Sequence, residues 1–206
     1  MSEVITHSLS KSALQRIMDG LSSLTAWIIR IIKPDFQRLG QLMRLTLLRV
    51  KLPGIPIDVQ IDGPVAVIGS GQIKMGNTCR ISRDVELGTE ASGKINLGNR
   101  VRINRGTTLF AYSNITIGSD SLIGEFVTIR DANHGIKSGI NIRQQAHDSE
   151  AIHIGRDVWI GRGCVILPGV SIGDHCVIGA NSVVTTSIDS NAIAVGSPAR
   201  VIKQRS

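Results

Sequence analysis

The chain reads as an all-β solenoid, a parallel β-helix of six-residue repeats with an N-terminal α-helical segment and one protruding loop, and three observations predict it. Aliphatic residues recur at every sixth position: Met75, Ile81 and Leu87; Leu97, Ile103 and Leu109; Ile117, Ile123 and Ile129; then Ile154 through Ile160, Ile166, Ile172 and Ile178 to Val184. Four residues after these aliphatics stand small or β-branched residues, from Cys79, Val85 and Val101 to Cys176 and Ser182. The 206 residues include 22 glycines and only 3% aromatics, a mixture that suits narrow strands and tight corners better than a layered core.

Taken in order, Ser10 to Ile32 and Asp35 to Val50 predict two helices separated at Pro34, and the turn-rich KLPGIP stretch follows them. Residues 1–55 are thus a helical segment and 56–206 the β-helix. Arg16, Arg30, Lys33, Arg38, Arg44 and Arg49 lie around apolar stripes in the helices. A cap on the solenoid is the favoured role, because an open end must be covered; peripheral contact with a membrane surface is the alternative. The apolar stretch from Leu21 to Ile32 is too short to span a bilayer. The opening residues lack the basic start and apolar run of a secretory signal. A cytoplasmic location is expected, at most peripheral to the inner membrane.

Within the repeat, the aliphatic and the small residue both point inward, and stacked coils bury ladders that no single repeat buries alone. The glycines that follow the aliphatics, such as Gly76, Gly118, Gly155, Gly161, Gly173 and Gly179, are expected at corners that need positive φ. Cys79, Cys164 and Cys176 are odd in number, lack CxxC spacing and fall on the small-residue ladder. They read as inert core residues rather than disulfides, nucleophiles or zinc ligands.

The 23 Lys and Arg against 16 Asp and Glu leave a net charge of +7, which favours an anionic partner. One Tyr and three Phe offer little for base stacking, so nucleic acid is set aside.

Between Ile129 and Ile154 the period breaks into a polar, glycine-containing stretch, with a loop at about residues 131–151. Insertions of this kind are where solenoids place function. His134 in the run Asp131-Ala132-Asn133-His134-Gly135 is the candidate general base, since imidazole is available as a base near pH 7 and can then return the proton.

The hexads, that run, and the segment VWIGRGCVILPGVSIGDHCVIGANSVV with GSPARVIK after it resemble the hexapeptide-repeat acetyltransferases, and especially the sugar and polysaccharide O-acetyltransferases such as galactoside and maltose acetyltransferases. The resemblance covers roughly residues 63 to 203 and implies a left-handed β-helix, a homotrimer with active sites between subunits, and acetyl-CoA as co-substrate without a metal. It implies donor contacts at Trp159, Gly161, Arg162, Ala180, Thr185, Thr186, Arg200 and Lys203. Thr186 stands where the family usually has Lys, and Arg162 is a candidate replacement for that phosphate contact. The family's acceptor-contacting Asn falls on Asn104, while an Asp used for galactosides is replaced by Tyr112. Asn104 also suits a corner that tolerates left-handed backbone. Asp131 is the nearest candidate to orient His134 and is counted, with Asn104 and Tyr112, among the acceptor-side residues.

The resemblance implies direct acetyl transfer to a sugar hydroxyl of a surface polysaccharide or its precursor. An amine acceptor would use the same machinery. His147 and His153 keep a zinc-dependent, carbonic anhydrase-like reading in view, and a silent scaffold is the third class. The lipid A acyltransferases share the coil but carry a long helical C-terminal domain that this sequence lacks.

Overall fold

A computed structural model describes Asp19, Ser22, Ser23 and residues 38–205. The chain divides into two compact units, Met1–Leu42 and Met43–Ser206. In the first unit Asp19, Ser22 and Ser23 are helical, and the Ser22 hydroxyl donates to the Asp19 carbonyl at 2.8 Å. The remainder of the first predicted helix, with Arg16 and Arg30, lies outside the described residues, as does Lys33. The second predicted helix is present over 38–51. Among the described residues no helix is long and apolar enough to cross a membrane.

In the second unit, Leu45, Leu48 and Leu52 are buried and join one continuous core with the repeat. Arg44 Nε donates to the Ile61 carbonyl at 3.0 Å. These contacts cover the start of the coil, as a solenoid end requires.

The chain then winds as a left-handed parallel β-helix, visiting three sheets in turn. The first sheet contains Gln60–Ile61, Arg80–Ile81, Arg102–Ile103, Leu122–Ile123, Trp159–Ile160 and Val177–Ile178, and ends in the antiparallel pair Ala192–Gly196 and Ala199–Gln204. The second contains Val65–Gly69, Val85–Thr89, Thr108–Ala111, Thr128–Arg130, Val165–Ile166 and Val183–Val184. The third contains Gln72–Met75, Lys94–Leu97, Asn114–Ile117, Ile152–Ile154 and Ser171–Ile172.

Register places like above like: Ile103 pairs with Ile123, Ile123 with Ile160 and Ile160 with Ile178. All four are fully buried, each contributing roughly 1.5–3 kcal/mol. The small-residue ladder accepts Cys, Ser or Thr because each donates to a nearby carbonyl: Thr107 to Gly124, Ser121 to Gly155, Cys164 to Gly179. Burial pushes all three cysteine thiols up from their ordinary value.

The corners correct one expectation. The glycines that follow the aliphatics do not have positive φ; the left-handed residue comes two positions later, at Thr78, Asp84, Arg100, Asp120, Phe126, Asp157, His175 and Asn181 among others. Glycine is required next to the aliphatic because coils approach closely there. A Cβ on Gly118 would lie 2.5 Å from the Gly155 carbonyl carbon, and one on Gly161 would lie 2.6 Å from the Ala180 nitrogen. Asn104 occupies this close-approach slot and its φ is not positive.

The breaks in the six-residue period share one location. From Leu87 to Leu97, Leu109 to Ile117 and Ile129 to Ile154 the steps are longer than six, and every one joins a second-sheet strand to a third-sheet strand. The added residues of successive coils therefore stack on a single corner, with the loop on top.

Candidate active site

That corner is organised by Asp131. Its side chain is fully buried and accepts hydrogen bonds from Tyr112 N at 2.7 Å and Ser113 N at 2.9 Å. This corrects the expectation that Asp131 orients His134 or meets an acceptor: the carboxylate faces inward and ties the loop to the added residues of the coil below.

Beyond Asp131 the loop leaves as a hairpin, Ala132–His134 pairing antiparallel with His147–Ser149 so that His134 lies opposite His147. Gln145 braces the tip, its amide contacting Lys137 N, Lys137 O and Ile140 O. The two imidazole rings are 4.2 Å apart. His134 is exposed, His147 half-buried.

His147 Nε2 is 3.3 Å from the Tyr112 hydroxyl, and Arg130 Nη2 donates to that hydroxyl at 3.2 Å. The Arg130 guanidinium also lies 5.3 Å from the ring centres of both Phe110 and Tyr112, within cation–π range. Sequence reasoning named His134 and Tyr112 but missed Arg130, Phe110 and the closeness of His147. The signal for Arg130 was present: it ends the last regular strand before the loop.

A second feature lies on the corner between the first and second sheets. A cleft of about 420 Å³ gathers Asn104, Trp159, Gly161, Arg162 and Ala180 with Glu125 and Val177. Five residues singled out from sequence are thus brought together. Trp159 is 56% exposed, a high value for an indole, and pairs in register with Leu122 and Val177. Asn104 Nδ2 donates to Glu125 Oε1 at 3.0 Å. Arg162 packs over the Phe126 ring at 5.2 Å, with Arg105 at 5.1 Å from the same ring, a stack that sequence reasoning missed.

The remaining predicted residues lie elsewhere. Thr185 and Thr186 are exposed just after the strand Val183–Val184, and Arg200 and Lys203 are exposed on the strand Ala199–Gln204. None of the four lines the cleft. His175 Nδ1 lies 2.9 Å from Asp157 Oδ2, which also receives Arg205 Nη1 at 2.9 Å. Among the described residues no three His, Cys, Asp or Glu side chains group as metal ligands.

Residues 151–186 match the family model described as bacterial transferase hexapeptide (six repeats). A putative lipopolysaccharide biosynthesis O-acetyl transferase, WbbJ, of Escherichia coli (strain K12) is 42% identical over 99 residues, 44% of this chain and 50% of that protein. The galactoside O-acetyltransferase of the same organism is 43% identical over 90 residues, 44% of each chain. Among solved structures, a serine-to-alanine variant of AntD, an N-acyltransferase from Bacillus cereus in complex with dTDP-4-amino-4,6-dideoxyglucose and coenzyme A, superimposes with a TM-score of 0.67 at 25% identity. That match covers 78% of this chain and 88% of AntD. The repeat register, the coil and these matches define the class: the chain is a left-handed β-helix that carries the hexapeptide repeat of bacterial transferases over residues 151–186 and is similar to acetyltransferases built on it. It spans about half the length of the curated relatives it matches.

Proposed function

We propose that the protein is an acetyl-CoA-dependent O-acetyltransferase acting on a sugar hydroxyl of a surface polysaccharide or its precursor, with His134 as general base. The observation that carries this reading is the His134–His147 pair, an exposed imidazole whose ring packs against a second, tethered one. Arg130 donates into the Tyr112 oxygen, and in this reading the phenolic proton is directed at His147 Nε2. His147 is then held as the Nδ1–H tautomer and sets the plane against which His134 rests. Arg130, Tyr112 and His147 are positioning residues in this scheme.

The cleft beside Trp159 fits the donor. Its wall combines an exposed indole, the small corner residues Gly161 and Ala180, and Arg162. Small corners let an extended pantetheine arm approach the backbone, and an arginine suits a phosphate. Thr185, Thr186, Arg200 and Lys203 would meet more distant parts of the same ligand, which supplies the acetyl group. His134 removes the acceptor's hydroxyl proton as its oxygen bonds to the acyl carbon, and returns that proton to the departing thiolate, so no metal or acyl-enzyme is needed.

His134 and the cleft occupy different corners of the triangular coil. A homotrimer that sets one chain's loop against the next chain's cleft completes the site, and the exposed Leu122–Trp159 strip suits that contact. A cytoplasmic setting follows from the donor. An amine acceptor is the second reading, favoured by the likeness to AntD, an N-acyltransferase.

Thiol release from acetyl-CoA, measured with a panel of sugars and amino sugars on wild type and His134→Ala, tests the proposal. Turnover with a sugar hydroxyl that disappears in the variant supports it. Turnover confined to amines moves the reading to N-acetyl transfer, and no turnover with any acceptor sinks acetyl transfer.

A further inference from the structure

The corner that carries His134 contains more than the base requires. A coil of this kind closes with six-residue steps alone, as Ile160, Ile166, Ile172 and Ile178 demonstrate. The added residues at Glu90–Gly93 and Tyr112–Ser113 are therefore not needed to close the fold, yet they stack directly below the loop. They create two hollows that share Ser92, Tyr112 and Ser149. One, of about 560 Å³, reaches Glu90 and His147. The other, of about 500 Å³, continues to Lys94 and Asn114. Together they form a shallow polar track from the loop, past Tyr112, down two coil spacings, or about 10 Å.

We propose that this track binds a glycan, so that the acceptor is an oligosaccharide at least two sugars long, with the sugars next to the acetylated one lying over Tyr112 and Ser92. The inference rests on the acetyl-transfer reading and narrows its substrate class. The chemistry of the wall selects a glycan over a nucleotide-linked sugar. The Ser149 hydroxyl, the lone pairs of the Ser92 hydroxyl, whose proton goes to the Tyr112 carbonyl, and the second N–H and lone pair of the Asn114 amide beside its contacts to Asn96 and Thr116 offer mixed donors and acceptors, as sugar hydroxyls require. Glu90 and Lys94 balance in charge, whereas a diphosphate calls for a cationic wall. The Tyr112 ring is already packed by Arg130 and His147 and is poorly placed to stack a nucleobase. A single sugar beside His134 would leave the farther hollow unused.

The test is thiol release from acetyl-CoA with matched mono-, di- and trisaccharides and their nucleotide-linked monosaccharides, on wild type, Ser92→Trp and Lys94→Trp. Both positions are exposed, so the indole fills the hollow without entering the core; melting curves check that the fold is retained. The expected result is a gain in kcat/KM of about tenfold or more, some 1.4 kcal/mol, from mono- to trisaccharide, carried by KM and collapsing towards one in both variants. Equal use of mono- and trisaccharides, preference for a nucleotide-linked sugar, or a chain-length gain that survives both substitutions overturns it. Should wild type release no thiol with any acceptor, acetyl transfer fails on its own. The track is then decided by trisaccharide binding, read from amide chemical shifts at Ser92 and Tyr112: shifts lost in Ser92→Trp support it, and none in wild type overturns it.

Discussion

His134 and His147 face each other across the hairpin that opens and closes the loop, with ring centres 4.2 Å apart. They stand thirteen positions apart in the chain, and the antiparallel pairing sets their rings side by side. If His134 is the base, its loss removes proton transfer, an effect on the order of 10²–10⁴ in kcat. His147→Ala and Tyr112→Phe leave the base in place but unbraced. A drop in kcat of about tenfold is expected from loosened geometry, with KM for acetyl-CoA little changed. A variant that raised KM and left kcat alone would assign these residues to binding.

Asp131 holds the corner through two backbone N–H groups. Asp131→Ala strands both donors in a buried site, at a cost of about 2–4 kcal/mol, and Asp131→Asn should cost less because its oxygen still accepts. Urea titration measures the difference. Near-wild-type stability for Asp131→Ala would show that water or another group replaces the carboxylate.

The two kinds of corner position respond oppositely to substitution. Gly118→Ala drives a methyl against the Gly155 backbone and should destabilise by roughly 1–3 kcal/mol. Thr78→Gly removes a side chain from a left-handed residue with φ of 59°, relieving strain of about 1–2 kcal/mol while losing the hydroxyl contact to Asp58. Little net change is expected there. Calorimetric melting of the two variants separates close approach from backbone conformation as the reason for glycine.

Asp157 has its carboxyl lowered by the hydrogen bond from His175, helped by Arg205. A carboxyl lowered in the native state adds stability that is present above the ordinary Asp value of about 3.9. That stability disappears as pH falls through the lower native value. The groups are substantially exposed, so solvent screening keeps the effect small. Asp157→Asn should reduce the urea midpoint at pH 7 and leave it nearly unchanged well below pH 3. Equal losses at both pH values would point to packing instead of charge.

The three thiols are fully buried and raised above their ordinary value by desolvation. They should resist a thiol reagent at pH 8 in the native protein and react together once the coil is unfolded. Rapid modification of one thiol in the native state would place it outside the ladder.

A six-residue period was enough to determine the coil, because each six-residue step is a local event: one inward aliphatic, one turn, one inward small residue. It also placed His134 in the longest break and collected Trp159, Gly161, Arg162 and Ala180, since residues three hexads apart stack whatever the loop does. The breaks themselves appeared in the sequence as unrelated gaps of different length. Only the wound chain put them on one corner, because that depends on how many turns lie between them. The partners of His134 and Asp131 were hidden for the same reason. Tyr112 and His147 are 35 residues apart, and their contact exists only after the loop folds back onto the coil below. The reason for the corner glycines was likewise tertiary: a single repeat has no neighbour to collide with, and the backbone of the next coil is what excludes a Cβ.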